Sequence, residues 1–314
     1  MMFRILALLL LPVICLAQVN SNGEKPTGEL LSNEIAPNDM KRNASFNVEE
    51  IKVRWKKAAL ENCTGVPCVV APSFTCGTST VSDYDGNVYE TVSIVGTGVT
   101  QCWTKSNLKV TRYNDGSLIP DLTASSNNPW ATKSGARTEY VNGGVPLSGY
   151  VGTFGYLYNW YAAAGIITIG GSPTKNICPT GWHVPTDSDW NKLVIYIHSG
   201  ADTITTTAPF AQSTTAGGKL KSTGTNTSAG TGFGWDPATL PSPVTDDYGF
   251  SALPGGIRGS GGSSFSIRQK TYFWSATDST NPSTWSRLLE HVDVEVKRSS
   301  TDKDAGFSVR CLKD

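Results

Sequence analysis

Six cysteines follow the apolar N-terminal segment of this 314-residue chain, and they constrain its fold more than any other feature. They are Cys63, Cys68, Cys76, Cys102, Cys178 and Cys311. In an exported protein an even number of cysteines indicates disulfides, whereas in the cytosol these spacings would suggest a metal or catalytic site. Many pairings are open, but the order along the chain favours Cys63–Cys68, Cys76–Cys102 and Cys178–Cys311. Structural zinc is disfavoured because the chain has no C-x-x-C pair and its histidines are scattered.

Residues 1–17 have the pattern of a cleaved signal peptide. Arg4 precedes an uncharged apolar run, and the small residues Cys15 and Ala17 precede Gln18. The run has about a dozen residues, which is short of the ~20 that span a bilayer. Lipidation of Cys15 is disfavoured because Ile14 stands where such signals have a small residue. We therefore predict export to the periplasm, the cell surface or the medium, with no transmembrane segment in the mature chain.

The charge balance argues against a nucleic-acid partner. The chain has 26 Lys and Arg against 26 Asp and Glu, and no run of basic residues, whereas phosphate binding depends on clustered cations. Only 17% of the residues are charged, and 32 Gly and 17 Pro indicate many loops rather than a helical bundle.

Four segments follow from the composition along the chain. After the signal peptide at 1–17, residues 18–46 are polar and are predicted to be flexible. Residues 47–75 are predicted to form an amphipathic helix and a cysteine-containing linker, with Ile51, Trp55, Ala58 and Ala59 on one helical face. Residues 76–314 are predicted to form the main domain.

Within that domain, local signals predict several elements. Asp85-Gly86 indicates a hairpin between strands at 80–81 and 88–94, and a calcium loop is disfavoured there because Ile94 stands where the bidentate Glu would be. Thr186 and Asp189 form a capping-box pattern before a helix that reaches Ile197. Strands are predicted at 273–277, 285–295 and 306–311, with Val292, Val294 and Val296 alternating with polar residues. Residues 123–150 and 200–232 are predicted to be surface loops.

Several motifs in order resemble the Fibrobacter succinogenes major paralogous domain. They are CGTSTV at 76–81, DGN at 85–87, QCWTKSNLKV at 101–110, YLYNW at 156–160, CPTGWHVP at 178–185, TDDYGFSALPGG at 245–256, WSAT at 274–277 and GFSVRC at 306–311. The resemblance spans about 76–313 and implies a secreted or surface protein of a Gram-negative bacterium of the Fibrobacter and Bacteroidetes type.

A more distant similarity concerns the fold. The capped helix after His183 and the terminal Gly-Phe-x-Val-Arg-Cys strand are similar to the C-type-lectin-like fold of formylglycine-generating enzymes. This similarity implies an α+β fold with a small twisted antiparallel sheet, two or so helices and long Gly/Ser/Thr-rich loops. The copper-dependent activity of those enzymes needs two neighbouring cysteines, and it is not expected because Cys178 and Cys311 should be oxidised.

A binding module is therefore the favoured function, with carbohydrate or another cell-surface component as its partner. Lectin-like sites combine carboxylates, often with calcium, and an exposed aromatic ring that stacks on a sugar. The candidate residues are Trp130, Trp235, Asp246, Asp247, Arg258 and Asp278. Trp103, Trp160, Trp182, Trp190 and Trp274 are predicted to be core. No cofactor is expected, although such a site could hold calcium.

Two alternatives stay open. One is a structural or self-associating surface protein without a ligand pocket. The other, less favoured, is an enzyme that uses Asp246 and Asp247 with His183 for acid/base chemistry. Adjacent residues on an extended segment point in opposite directions, so a turn cap is the preferred interpretation of the two aspartates.

Overall fold

The computed structural model describes residues 73–96, 98–123, 133–165, 173–202, 210–224, 234–236, 244–280 and 283–314. Residues Phe74–Asp314 form one compact unit. The predicted signal peptide, the flexible segment, the helix of the 47–75 segment, Cys63, Cys68 and Trp130 lie outside the described residues.

The first sheet begins with the predicted hairpin. Strands β1 (Thr80–Ser82) and β2 (Val88–Gly96) pair in antiparallel register, and the Asp83 carboxylate accepts the main-chain N–H groups of Asp85 and Asn87 at 3.0 Å. This confirms the turn interpretation of the Asp-x-Asp-Gly stretch. The sheet continues with β3 (Val99–Thr104), β15 (Leu312–Lys313) and β8 (Trp182–His183), in the order β1-β2-β3-β15-β8. The C-terminus thus lies between two earlier parts of the chain.

The second sheet contains the strands predicted in the C-terminal third. Its order is β12 (Lys270–Thr280), β13 (Ser283–Glu290), β14 (Val296–Asp302) and β9 (Phe210–Ser213). The predicted strand at 285–295 is wrong at its end, because β13 stops at Glu290 and Val292 is exposed in the connection to β14. Residues 306–311 are extended and buried, but they join their neighbours through single bridges, such as that from Phe273 to Ser308.

Short strands and helices occupy part of the described sequence that was expected to form loops, and similar short elements lie outside those ranges. Three pairs of short strands are β4 (Arg137–Thr138) with β7 (Leu157–Tyr158), β5 (Val141–Asn142) with β6 (Val145–Pro146), and β10 (Ile257–Arg258) with β11 (Ser264–Phe265). Five-residue helices are α1 (Tyr150–Phe154), α2 (Trp160–Ala164) and α4 (Ala216–Leu220). The loop predictions for 123–150 and 200–232 are therefore wrong at β4, β5, β6, β9 and α4.

Helix α4 shows why its small residues misled the prediction. A Cβ atom at Gly217 would lie only 2.1 Å from the main-chain oxygen of Glu295. Glycine is needed there for close packing against the β13–β14 connection, and Ala216 and Leu220 on the same helix are buried. Small residues in this segment therefore indicate a tight contact rather than a surface loop.

The longest described helix, α3 (Asp187–Ile197), connects the two sheets. Its capping box is confirmed, since Thr186 accepts the Asp189 N–H and the Asp189 carboxylate accepts the Thr186 N–H. Its apolar face is buried, and the Trp190 ring lies 4.7 Å from Trp103 of β3 and 5.6 Å from Phe273 of β12. All five tryptophans predicted to be core are buried.

Two of the three predicted disulfides lie within the described residues, and both are at bonding distance. Cys76 pairs with Cys102, and Cys178 pairs with Cys311. The described domain is mostly antiparallel β-structure with four helices. This agrees with the predicted α+β class, although β-structure dominates. No described helix has both the length and the apolar character that crossing a membrane requires.

Candidate functional site

Trp235 does not form an exposed aromatic platform. Its side chain is 1% exposed, and its indole N–H donates a 3.0 Å hydrogen bond to the main-chain oxygen of Ala252. The ammonium group of Lys221 lies 4.8 Å from the centre of the ring. The prediction that Trp235 faces solvent is therefore wrong, because segments distant in sequence cover a tryptophan whose immediate neighbours are mostly polar and small.

Asp246 and Asp247 lie in different surroundings. The Asp246 carboxylate accepts the N–H and the hydroxyl of Ser251 at 2.8 and 2.6 Å, as the turn-cap interpretation predicts. Asp247 is exposed. His183, the third residue of the enzyme alternative, binds two other carboxylates, those of Asp189 and Asp314. The hydrogen bonds of Asp246 therefore stabilise its own loop.

The last two predicted ligand residues also serve the fold. Arg258 is 2% exposed on β10, and its main-chain N–H donates to Gly306 at 3.0 Å. Its burial leaves little of the side chain accessible to a ligand, and the prediction of a ligand contact stays untested. Asp278 is exposed at the end of β12, where it forms an ion pair of 2.6 Å with Lys303.

Arg310 joins three of the motif segments. Its buried guanidinium donates to the Asn107 side chain at 2.7 Å and to the main-chain oxygens of Thr104 and Phe250 at 3.0 and 2.9 Å. These acceptors belong to the motifs at 101–110 and 245–256, and Arg310 belongs to the motif at 306–311. Main-chain oxygens that are fixed in this way cannot rearrange without leaving a buried cation unsatisfied. The motif residues here maintain the fold.

A small cleft elsewhere in the domain has an exposed aromatic ring beside polar and charged side chains, the combination that was expected around Trp235. It has a volume of about 260 Å³ and lies beside the Cys76–Cys102 disulfide. Its other lining residues are Phe74, Ser93, Thr100, Gln101, Lys313 and Asp314. We call it the Phe74 cleft. It is built where β2 and β3 meet the end of β15, so the sheet supports its floor.

Phe74 supplies the exposed aromatic ring of this cleft. The side chain is 39% exposed and packs edge-on against Trp182, with ring centres 5.9 Å apart. The Gln101 side chain forms one wall of the cleft. Two hydrogen bonds hold it in place: its amide nitrogen donates to the Asp189 main-chain oxygen at 2.9 Å, and its amide oxygen accepts the Trp103 indole N–H. The cleft therefore presents an apolar ring beside groups that hydrogen bond.

Sequence reasoning missed this site because it placed Phe74 in the linker. The signal that was available is a large aromatic residue in a Pro- and Ser-containing stretch, two positions before Cys76. Since that cysteine is tied to β3 by a disulfide, the residues just before it are held against the first sheet.

The model of the Fibrobacter succinogenes major domain matches residues 98–313. The chain belongs to this family. No significant match was found among curated proteins, and none among solved structures. The matched range includes four of the eight residues that line the Phe74 cleft; Phe74, Cys76 and Ser93 precede it, and Asp314 follows it.

In this Fibrobacter succinogenes major domain, His183 lies beside the cleft between the carboxylates of Asp314 and Asp189. The Nδ1 atom of His183 lies 2.6 Å from the Asp314 carboxylate, and its Nε2 atom lies 3.5 Å from that of Asp189. The hydrogen bond to Asp189 raises the pKa of His183; burial opposes this, and Asp314 adds to it. Among the described residues, no group of three or more His, Cys, Asp and Glu side chains is arranged to hold a metal ion. Calcium binding stays a prediction.

The raised pKa of His183 can be measured by NMR. We expect an imidazole pKa above its ordinary value of 6.5, and a decrease in that pKa when Asp314→Asn removes one carboxylate. Because the pKa is raised on folding, the stabilisation from this group is complete below pH 6.5 and is lost as the pH rises through the folded-state pKa. His198 and His291, followed in the same spectra, show whether the change is local. A His183 pKa at or below 6.5 would contradict this arrangement.

Proposed function

We propose that this protein is an exported, non-catalytic binding module with a C-type-lectin-like fold. Its Phe74 cleft recognises carbohydrate or another component of a cell surface. The observation that carries the proposal is the 39% exposed ring of Phe74, held beside hydroxyl, amide and charged groups in one concave surface. The exposed ring provides the stacking surface that Trp235 cannot offer.

The chemistry of the cleft suits a sugar. An aromatic face stacks on the apolar face of a pyranose ring, while the hydroxyls of Ser93 and Thr100 can exchange hydrogen bonds with sugar hydroxyls. The volume of about 260 Å³ is slightly below the range of roughly 300–1,000 Å³ typical of pockets for drug-sized ligands. The cleft therefore suits one sugar ring, with the rest of the ligand extending over the surface.

Export and the lectin-like fold are part of the same proposal. The signal-peptide pattern of residues 1–17 supports export, and two disulfides agree with an oxidising compartment. The irregular segments joined by single β-bridges around the curled sheets support a lectin-like architecture.

Phe74→Ala tests the proposal on a glycan array with the full mature chain. We expect at least about a tenfold loss of affinity, because the substitution removes the stacking surface. Tyr84→Ala is the matched control, since Tyr84 is 53% exposed in the β1–β2 turn and should leave binding unchanged. Retained binding in the Phe74 variant, or equal losses in both variants, would contradict the proposal.

A second observation favours the alternative of a self-associating surface protein. Val145 of β6 and Phe265 of β11 are exposed apolar residues on neighbouring hairpins, which are joined by a hydrogen bond from Val141 to the Ser264 hydroxyl at 3.1 Å. A blank glycan array, with oligomers that dissociate in a Val145→Ser/Phe265→Ser variant, would support this alternative.

A further inference from the structure

The two charged residues of the Phe74 cleft differ in their surroundings. The Asp314 carboxylate lies 2.6 Å from Nδ1 of His183, so it already has a partner outside the cleft. Lys313 is exposed, and none of the described carboxylates lies within ion-pair distance of its ammonium group. Lys313 is therefore the charged residue of the cleft that has no ion-pair partner among the described residues.

Lys313 also lies close to the aromatic surface. Its ammonium nitrogen is 5.6 Å from the centre of the Phe74 ring, near the outer limit of a cation–π contact. The cation and the exposed ring are thus close enough for one sugar to contact both, with its ring on Phe74 and a charged substituent at Lys313. Because β15 pairs with β3 and β8, the main chain that carries Lys313 is fixed by the first sheet.

We propose that the Phe74 cleft prefers a saccharide that carries a carboxylate, such as a uronic acid. The sugar ring stacks on Phe74 and the carboxylate pairs with Lys313. This inference rests on the proposed function, because it specifies the ligand class of the same site. Because Lys313 is exposed, the ion pair adds a modest contribution, which decreases as salt is added.

The test compares an acidic saccharide with its neutral counterpart. Oligogalacturonate and the methyl ester of the same oligomer are titrated into the full mature chain at low and at high salt. We expect the acid to bind about two- to fivefold more tightly than the ester at low salt, with a smaller ratio at high salt. Lys313→Gln should remove the preference, whereas Lys105→Gln, which removes the same charge from a residue paired with Glu90, should retain it.

The outcomes separate this inference from the proposed function. If acid and ester bind equally and both depend on Phe74, the cleft binds sugars and the acidic preference is overturned. If no saccharide binds to the chain, the carbohydrate form of the proposed function fails and the inference fails with it. If polyglutamate competes as strongly as oligogalacturonate through Lys313, the ligand is an acidic peptide and the saccharide assignment is overturned.

Discussion

Replacing both Cys178 and Cys311 by alanine is expected to lower the free energy of unfolding by about 5 kcal/mol, the loop-entropy value for a disulfide of this span. The two residues are 133 positions apart in sequence, and their Cα atoms are 5.9 Å apart. The bond therefore removes much of the freedom of the unfolded chain. It joins the segment before β8 to the segment before β15, and both cysteines are buried in the core that contains Trp160 and Trp274. Urea unfolding followed by tryptophan fluorescence measures the change.

The Cys76–Cys102 disulfide provides the matched control. It closes only 26 residues, so the corresponding double alanine variant should lose about 3.5 kcal/mol. Equal losses in the two variants would contradict the dependence on loop length. A loss below about 1 kcal/mol in the Cys178/Cys311 variant would show that buried contacts, rather than this bond, hold the C-terminus in the first sheet.

The elements that could be predicted have local causes. The β1–β2 hairpin depends on Asp83 and on an Asp-Gly turn within a few residues of it, and α3 begins at a capping box formed by Thr186 and Asp189. Both pairings of the described cysteines agree with the order of the cysteines along the chain. In each case the interacting groups, or the covalent rule that joins them, can be identified without knowing the tertiary structure.

The elements that were missed depend on partners distant in sequence. Trp235 is covered by Ala252 and by the ammonium group of Lys221, and α4 needs Gly217 because the chain at Glu295 passes beside it. Neither contact leaves a periodic pattern near the residue it affects. The same holds for the candidate site, where Phe74 meets Lys313 only because β15 pairs with β3.

The motifs indicate the family, but several of their polar residues are engaged in the fold. Arg310 bonds to the Asn107 side chain and to the main-chain oxygens of Thr104 and Phe250, all within motif segments. Buried polar groups must be satisfied in any protein with this fold, so polar motif residues of this kind follow from packing. Function in this family is more sensibly sought at residues that line concave surfaces, whether or not they belong to a motif.

Asp187→Asn is the second substitution with a large expected effect, about 3–5 kcal/mol lost from the free energy of unfolding. Asp187, at the start of α3, is buried between two buried arginines. Its carboxylate accepts hydrogen bonds from Arg287 at 2.7 Å and from Arg298 at 2.8 Å. The Arg298 guanidinium also lies 3.2 Å from the centre of the Trp285 ring. Asparagine keeps the shape but removes the charge, which leaves two buried cations without a carboxylate.

The dependence on pH distinguishes this charge effect from a packing defect. Burial alone would raise the pKa of Asp187, but the hydrogen bonds and charges of Arg298 and Arg287 outweigh burial and lower it. A lowered pKa means that this stabilisation is complete above the ordinary value of 3.8 and is lost as the pH falls through the folded-state pKa. The difference in stability between wild type and Asp187→Asn should therefore shrink in acid. A packing defect would keep the difference constant, which would contradict the charge explanation.

An exposed ion pair provides the control for the buried charges around Asp187. Glu90→Gln breaks the exposed pair with Lys105 and should cost less than about 1 kcal/mol.

The triple variant Asp187→Leu/Arg287→Met/Arg298→Met removes all three charges, and it should regain most of the stability that Asp187→Asn loses, because no buried charge is left unpaired. If the triple variant is less stable than Asp187→Asn, the arginines stabilise the fold through Gln212 and Trp285 rather than through the carboxylate. That result would make Asp187 a partner of the two arginines but not the reason why they can be buried.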